Sequence, residues 1–323
     1  MFYYSFFSSS RRNIAYICQN IFALQLIAFI IIYPFLWLIS ILPFRVIYML
    51  SDGVFLIIYY LIGYRRKVVK SNLELAFPDK TDNEIKKIMK GFYKHFCDLM
   101  FESIKSFTIS KKEMLKRFKI ANIEELKQYE NSKRSIILMC GHYASWEWSM
   151  SIQNHIDFIG YAVYKRLRNP YFDRLIKRVR EKHMTFLIPT KEIINKIGES
   201  IQKGELFLCG MAADQSPKVK KAYHWTTFMG VEVPCYTGSE MIAKRFDLPI
   251  VFMKIVKVKR GYYEATFSTL TKTPKVFEDY ELTDKFHKLV EQQIHEAPQY
   301  YLWTHKRWKH KDKRHIQKVV TKD

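Results

Sequence analysis

The first part of the chain is almost continuously apolar, and this pattern predicts a membrane helix. Residues Asn13 to Phe44 contain no charged side chain, and the apolar run exceeds the ~20 residues that a helix needs to cross a bilayer. It is also longer than the ~7–15-residue core of a cleavable signal peptide, and no small-residue cleavage site follows it. We therefore expect a retained transmembrane helix that is kinked at Pro34 and ended by Pro43.

A second apolar stretch follows at Val46–Tyr64 and is interrupted by Asp52 and Gly53. Three interpretations remain open for it, namely a second crossing, a helix half-sunk in the membrane interface, or a buried helix of the globular part. Cations close the stretch, as is typical where a segment emerges at an anionic cytoplasmic leaflet; they are Arg65, Arg66, Lys67 and Lys70. We predict a membrane anchor over residues 1–64 and one globular domain over residues 65–323.

Within the globular part, segments with helical periodicity alternate with short apolar runs. Helices are predicted at Thr81–Ser106 (capped by Asp82 or Asn83), Ile123–Tyr129, Pro170–Lys182, Glu192–Gln202, Ser239–Phe246 and Asp284–Glu296. Strands are predicted at Ser135–Met139, Ile159–Tyr164, Phe186–Ile188, Leu206–Cys209, Ile250–Val258 and Tyr262–Ser268. Such alternation predicts an α/β fold with active groups at strand ends.

The charge balance predicts an anionic partner. Lysine and arginine number 53 against 31 acids, which gives a net charge of +22. The first 64 residues hold three arginines and one aspartate, so +20 of this charge belongs to the globular part. Three kinds of partner are consistent with this positive charge: nucleic acid, an anionic lipid surface and an acidic protein. Basic residues beside a membrane anchor, including the tail after Thr304, more often meet phospholipid headgroups.

The cysteines argue for a reducing compartment and against a metal centre. Five cysteines are scattered along the chain without a C-x-x-C pair, which disfavours a disulfide framework or a structural zinc site. Neither H-E-x-x-H nor a carboxylate-rich cluster surrounds a histidine. We therefore expect no metal and no cofactor.

The stretch with the clearest chemistry is SIILMCGHYASWEW. His142 follows a predicted buried strand and Gly141, and Glu147 stands five residues later. On one helix this spacing would place the two side chains about 140° apart. The pair therefore predicts His142 in a strand-to-helix turn and Glu147 near the start of the next helix. There the carboxylate can orient the imidazole as a general base for acyl transfer.

Two neighbouring residues are weaker candidates for a nucleophile. Ser145 lacks the G-x-S-x-G context of a nucleophile elbow, and we interpret it as a helix-capping or surface serine. Cys140 precedes the turn and is better explained as a small buried residue.

With these residues the chain resembles the lipid A biosynthesis acyltransferases, the late acyltransferases of the lysophospholipid acyltransferase superfamily. That superfamily is marked by H-x4-D/E, which His142 and Glu147 match. Other blocks follow in the family's order over nearly the whole chain, namely RRKVVKSNLELAFPDKTDNEI, AVYKRLRNPYFDRLIKRVR, GMAADQSP, TFMGVEVPCYTGSEMIAKRFDLPIVF and APQYYLWTHKRWK. The resemblance implies a glycerolipid-acyltransferase-like fold, a mixed sheet flanked by helices.

The resemblance also implies an inner-membrane enzyme whose catalytic domain lies on the cytoplasmic face. It would move a fatty acyl group from acyl carrier protein to a hydroxyl of a lipid A precursor. His142 would deprotonate the hydroxyl, which attacks the thioester directly, while Glu147 stabilises the imidazolium. Acyl carrier protein is acidic, which fits the excess of cations on the globular part.

The resemblance further implies substrate-binding roles for four residues: Lys165, Arg166, Asn169 and Asp214. The family commonly has arginine directly after its tyrosine, whereas Lys165 follows Tyr164 here, so either Lys165 or Arg166 takes that role. On general grounds a helix cap explains Asn169 and a turn explains Asp214 equally well.

Other residues have a functional and a structural explanation. Arg178 fits either a phosphate contact or a solvated helix face. Five aromatic side chains have three explanations: they line a tunnel for the acyl chain, they lie at the membrane interface, or they pack in the core. They are Tyr223, Trp225, Phe228, Trp303 and Trp308.

Two alternative functions remain. An acyltransferase of the same superfamily could act on a lysophospholipid or an aminolipid, although the glutamate-glycine block typical of the phospholipid branch is replaced by GMAADQSP. A membrane-tethered nucleic-acid-binding protein would explain the charge, but no nucleic-acid motif supports it.

Overall fold

Two apolar helices open the structure. The computed structural model describes the backbone of residues 3–317 and the side chains of residues 22–315; the side chains of Arg11, Arg12 and Cys18 lie outside this range. Helix α1 spans Tyr3–Ile41 and runs through Pro34. Helix α2 spans Phe44–Leu56 and continues as a π-helix over Ile57–Ile62. Pro43 separates the two helices, as the sequence predicts. Both apolar segments, Phe22–Ile41 and Phe44–Ile62, are long and apolar enough to cross a membrane.

The centre of the globular part is a seven-stranded sheet with the strand order β1-β9-β8-β2-β5-β3-β4. Its strands are β1 (Phe118–Ile120), β2 (Ile136–Cys140), β3 (Ile159–Tyr164), β4 (Thr185–Pro189), β5 (Phe207–Ala212), β8 (Ile250–Lys259) and β9 (Tyr262–Thr271). All neighbouring pairs are parallel except the β8–β9 hairpin. A separate antiparallel hairpin consists of β6 (His224–Phe228) and β7 (Val231–Cys235).

Helices cover the sheet and connect its strands. They are α3 (Arg66–Ala76), α4 (Asp82–Lys105), α5 (Lys111–Arg117), α6 (Glu124–Asn131), α7 (Pro170–Glu181), α8 (Ile193–Gln202), α9 (Gly238–Phe246) and α10 (Glu281–Glu296), with a 3-10 helix at Trp146–Asn154. This mixed α/β architecture confirms the predicted fold class.

The predicted helices and strands are present with shifted ends, and several short elements were not predicted. Helix α5, strand β1 and the β6–β7 hairpin carry too few residues for a clear period. The N-cap of α4 is Thr81 rather than Asp82 or Asn83: its side chain accepts from the backbone N–H of Glu84, whose carboxylate accepts from the backbone N–H of Thr81. This reciprocal pair satisfies two N–H groups that a helix start leaves open.

The core is built on the central strands. All five residues of β2 are buried, as expected for a strand with parallel neighbours on both sides. Helix α10 packs an apolar stripe inward at every fourth residue; its members, all fully buried, are Leu282, Phe286, Val290 and Ile294. Residues four apart lie on one helix face, so this stripe follows directly from the sequence.

A polar network fastens α2 to the globular part. Buried Asp98 of α4 accepts from Ser51 of α2 at 2.8 Å and pairs with Lys257 of β8 at 3.3 Å. Buried Glu102 accepts from the hydroxyl groups of Tyr48 at 2.9 Å and Tyr263 at 2.8 Å. Burial raises the pKa of Glu102 to about 7. The second apolar stretch therefore packs one face against the domain.

The capping box gives a stability prediction. Thr81→Ala removes the side-chain acceptor and should cost about 0.5–2 kcal/mol, which corresponds to a fall in Tm of about 2–4 °C per kcal/mol for a large domain. Thr81→Ser keeps a hydroxyl acceptor and is the matched control. Thermal unfolding of the full-length protein in detergent measures both. Equal Tm values for Thr81→Ala and the wild type would show that the cap does not limit stability.

Candidate active site

The site is assembled at the carboxyl ends of two neighbouring parallel strands. In the β2–β5 pair, Cys140 lies opposite Ala212. His142 and Asp214 each follow two residues later, so the strand register places them side by side. Gly141 lets the turn approach α10, because a Cβ at this position would lie 3.3 Å from Val290 Cγ1. The predicted position of His142 in the turn after a buried strand is confirmed.

His142 and Asp214 form a hydrogen bond that becomes an ion pair when the imidazole is protonated. The distance from His142 Nδ1 to Asp214 Oδ1 is 2.6 Å. The side chain of Asp214 is 1% exposed and that of His142 is 20% exposed. Because Nδ1 faces the carboxylate, the pair fixes the imidazole ring and leaves Nε2 as the nitrogen that can accept a proton.

The pair shifts the pKa of both partners toward the charged forms. Burial opposes a charged imidazole, but the charge and hydrogen bond of Asp214, assisted by the charge of Glu147, raise the pKa of His142. Burial also opposes a charged carboxylate, yet the charge and hydrogen bond of His142, with backbone hydrogen bonds, lower the pKa of Asp214 to about 2. The site therefore holds an ionised carboxylate beside a basic imidazole.

The chain near the C-terminus holds the histidine turn in place. The backbone N–H of Leu302 donates to the carbonyl of His142 at 3.1 Å, and the N–H of Ala144 donates to the carbonyl of Tyr300 at 3.0 Å. Ala144 has a φ of 48°, a left-handed conformation that costs a non-glycine residue free energy. The two hydrogen bonds flank Tyr143 and hold the backbone that leads into this conformation.

The same segment supports the loop after Asp214. The backbone N–H of Ser216 donates to His305 Nε2 at 3.3 Å, and Arg307 Nη1 donates to Ser216 Oγ at 3.0 Å. Burial lowers the pKa of His305 to about 4, so its ring is neutral and can accept that hydrogen bond. Arg307 itself is fully buried and lies over the ring of Phe228. The segment from Tyr300 to Arg307 thus holds both the turn of His142 and the loop of Asp214 in place.

Glu147 has a different partner from the one that the sequence predicts. It lies in the first turn of the 3-10 helix, near the predicted position, but its carboxylate accepts from the guanidinium of Arg180 on α7. The carboxylate that binds the imidazole is Asp214. The register of β2 and β5 places Asp214 next to Nδ1 of His142. Glu147 lies on the 3-10 helix, where its carboxylate meets Arg180 of α7 instead.

The other predicted binding residues follow strand β3 at the same edge of the sheet. Lys165 is exposed, and Arg166 forms an exposed ion pair with Glu192 at 2.7 Å. Asn169 caps α7 by accepting from the backbone N–H groups of Tyr171 and Phe172, so its capping role is confirmed. Asp214 lies in the loop after β5 and is the buried partner of His142.

The structure also settles the environment of the weaker candidates. Cys140 is buried, and burial raises the pKa of its thiol to about 12. Ser145 is buried rather than on the surface, and it precedes the 3-10 helix without a side-chain capping bond. Arg178 is exposed on α7. Among the aromatic residues, Tyr223 is exposed and the other four are buried; Trp308 stacks on Phe228 and Trp303.

Two features of the site escaped the sequence analysis. Arg180 lies in a basic helix where nothing distinguishes it from its neighbours. His142 and Asp214 both follow predicted strands, which is consistent with their lying at the same edge of the sheet. Their pairing could not be predicted, because the sequence does not show which strands are neighbours.

Comparison with known proteins shows which family the chain is similar to. The family model described as bacterial lipid A biosynthesis acyltransferase matches residues 20–310. The chain is 26% identical over 277 residues to the lipid A biosynthesis lauroyltransferase of Escherichia coli K12, covering 85% of this chain and 89% of that protein. It is 21% identical over 276 residues to the palmitoleoyltransferase of the same organism, covering 85% and 88%. A lipid A biosynthesis acyltransferase of Haemophilus influenzae Rd is 23% identical over 251 residues, covering 77% and 79%.

The ion pair predicts how the imidazole titrates. The pKa of His142 should lie above its usual 6.5 in the wild type, and Asp214→Asn should lower it, because burial then acts without the opposing charge. Diethyl pyrocarbonate modification of the His142 peptide, followed by mass spectrometry across pH, measures the neutral fraction. Glu199→Gln on the exposed side of α8 is the control. An unchanged pKa in Asp214→Asn would contradict an ionised Asp214.

Proposed function

Because the chain belongs to the bacterial lipid A biosynthesis acyltransferase family, we propose that His142 is the general base of an acyl transfer to a lipid A precursor. The observation that carries this proposal is the pairing of His142 with buried Asp214, since it leaves Nε2 free to accept a proton. The protein is an acyltransferase enzyme, in agreement with the names of its relatives. The donor, the acceptor and the role of each residue are parts of the proposal.

The proposed reaction has one chemical intermediate and no acyl-enzyme. Nε2 of His142 takes the proton of the acceptor hydroxyl while its oxygen attacks the carbonyl carbon of the acyl thioester. A C–O bond forms and gives a tetrahedral oxyanion. The oxyanion collapses, the C–S bond breaks, and the proton on His142 passes to the departing thiolate. An ester and a free thiol are the products, and the enzyme returns to its starting state.

The surroundings of the site support direct attack. A covalent route would need an activated nucleophile next to the base. Ser145 makes no hydrogen bond to His142 among the described residues, and the thiol of Cys140 is held in its neutral form by burial. A thioester is already activated, so orientation of the two substrates can supply much of the remaining rate enhancement.

Asp214 and Glu147 have distinct proposed roles. Asp214 fixes the ring and stabilises the imidazolium directly through the bond to Nδ1. Glu147 adds negative charge near the imidazole, since it also raises the pKa of His142, and it holds Arg180 at the site. Arg180 is thereby positioned to stabilise negative charge on a substrate or on the oxyanion.

Residues after strand β3 are proposed to contact the substrates. Lys165 and Arg166 lie at the sheet edge that carries His142, where exposed cations can bind the phosphate groups of a lipid A precursor. Asn169 is proposed to act indirectly. It caps α7 and so helps to place Arg180, which lies on that helix.

The proposed donor is acyl carrier protein, whose acidity complements the +20 charge of the globular part. The relatives are lipid A biosynthesis enzymes by name, and we place this protein at the inner membrane with its catalytic domain on the cytoplasmic face. The cations that follow the second apolar stretch support this orientation.

A reconstituted assay tests the reaction and both substrates together. Full-length enzyme receives lipid A precursor, lysophospholipid and aminolipid acceptors with acyl-carrier-protein or acyl-CoA thioesters, and the products are identified by mass. We expect a lipid A precursor with one added acyl chain and a loss of roughly 10²–10⁴-fold in His142→Ala. Ser145→Ala and Cys140→Ala should remain active.

Other products would contradict parts of this proposal. Acylation of only the lysophospholipid or the aminolipid would replace the acceptor. An acyl group trapped on Ser145 or Cys140 would replace direct attack. Salt-sensitive DNA binding without any acyl transfer would favour the nucleic-acid alternative.

The two carboxylates can be ranked by isosteric substitutions. Asp214→Asn removes the charge in contact with Nδ1 and should lower kcat by about 10²-fold or more. Glu147→Gln removes a more distant charge and should cost less. Because His142 and Asp214 act as a unit, the double variant should be little worse than His142→Ala. Initial rates with saturating donor measure this order, with Glu199→Gln as the control. The reverse order would make Glu147 the orienting group.

A further inference from the structure

The two N-terminal apolar helices contact the domain along one side and expose large apolar side chains over the rest of their surface. On α1, the partly covered residues recur at helical spacing and the remaining apolar residues are exposed. The exposed apolar residues of α1 include Leu24, Ile27, Ile31, Phe35 and Leu38, and those of α2 with its π-helical extension include Met49, Leu50, Leu56, Tyr60 and Leu61. Soluble proteins rarely expose contiguous apolar patches of this extent. We call these residues the outer face.

From Gln25 to Ser40, helix α1 lies against the domain. The backbone carbonyl of Gln25 accepts from Asn169 Nδ2 at 3.0 Å. The backbone carbonyl of Ser40 accepts from Lys105 Nζ at 2.8 Å. Between these contacts, Phe29 packs on Phe172. Gln25 and Ser40 are fifteen positions apart, which corresponds to about 22 Å along the helix axis. The inner side of α1 therefore contacts the domain near both ends of this length.

The element beside α1 is too polar to lie in hydrocarbon. Helix α7 starts next to Gln25 and Phe29, and Lys182 just beyond its end donates to the carbonyl of Phe107, next to the α1 contact of Thr108. Between these points α7 has the sequence PYFDRLIKRVRE, in which every second residue on average is charged. A charged side chain at the bilayer centre costs several kcal/mol. If α1 crossed the bilayer at Gln25–Ser40, α7 would have to enter with it.

The same argument applies to α2. Asp52 lies near the middle of the segment Phe44–Ile62, and it pairs with Arg260 in the β8–β9 turn at 2.7 Å. Ser51 is buried and donates to Asp98. If this segment crossed a membrane, an ion pair and a β-turn of the domain would lie at its centre.

The cations at the ends of the outer face indicate what covers it. Arg45 begins the α2 segment, and Arg65, Arg66 and Lys67 follow its end, all of them exposed. Exposed apolar rows bounded by cations and aromatic rings are typical of surfaces that enter an anionic leaflet to the depth of the headgroup–acyl boundary. Trp37 and Tyr64 are exposed on these segments, where amphipathic rings are favoured.

We propose that residues 22–62 form a membrane-seating face built into the catalytic domain, with α1 and α2 lying along one leaflet rather than crossing the bilayer. The hydropathy of Asn13–Phe44 alone predicts a crossing, but the contacts along α1 favour the in-plane arrangement. Its functional consequence rests on the proposed function: the domain is held at a fixed height, so a lipid hydroxyl can reach His142 without leaving the leaflet.

Spin-label depth measurements on the full-length protein test this arrangement. Leu24→Cys, Ile31→Cys and Leu38→Cys place labels on one helix face, at positions that are 66%, 56% and 50% exposed. Cys18→Ser supplies the background, since Cys97, Cys140, Cys209 and Cys235 are buried. The protein is reconstituted in phosphatidylethanolamine–phosphatidylglycerol vesicles, and depth is obtained from relaxation by oxygen and by a water-soluble nickel chelate. Val276→Cys, 75% exposed on the domain, is the aqueous control.

An in-plane helix should give three depths that agree within about one helical pitch of 5.4 Å, all well above the bilayer centre, while the Val276 label remains in water. A crossing helix should give depths that differ by about 10 Å between successive labels, and that result would overturn the proposal. Labels shielded from both relaxants and broadened by dipolar coupling would also overturn it, by showing that a second copy covers the face. Depth is measured without turnover, so a failure of the proposed acyl transfer would leave these outcomes distinguishable.

Discussion

A buried carboxylate must be paired, and in this protein that requirement governs the architecture around the site. Asp214 is almost fully buried, and an unpaired charge at such a position would cost several kcal/mol. His142 supplies the pairing across 2.6 Å. The parallel register of β2 and β5 creates the contact, the chain at Tyr300–Leu302 holds the histidine turn, and Arg307 with His305 holds the loop of Asp214. The raised pKa of His142 is thus a product of the fold rather than of its residue type.

The same physical rule operates where the apolar helices meet the domain. Asp98 receives hydrogen bonds from α2, from β8 and from the β8–β9 turn, and Glu102 receives two tyrosine hydroxyl groups. Removing one partner of such a network leaves a buried charge uncompensated, so α2 cannot separate from the domain without a free-energy cost. The apolar segments and the candidate active site consequently belong to one connected structure. This connection gives the site a defined position relative to the apolar helices.

Local patterns in the sequence correctly indicated most of the architecture. The buried strand before His142, the helix predicted at Asp284–Glu296 and the helix capped by Asn169 all follow from residues near one another in the chain. Elements of three to seven residues, such as β1 and α5, did not show a clear period. The cap of α4 was placed one or two residues too late, because Asp82 and Asn83 are as good caps as Thr81 by type.

The sequence by itself determined that His142 follows a buried strand, which segments are apolar and where the positive charge lies. It did not determine that Asp214, 72 residues from His142, is the carboxylate that binds the imidazole. That pairing depends on strand order and register, which arise from contacts between distant segments. Likewise, hydropathy established that α1 and α2 are apolar, but not which side of each helix the domain covers. Only tertiary contacts decide these features, because a periodic pattern specifies a face without specifying its neighbour.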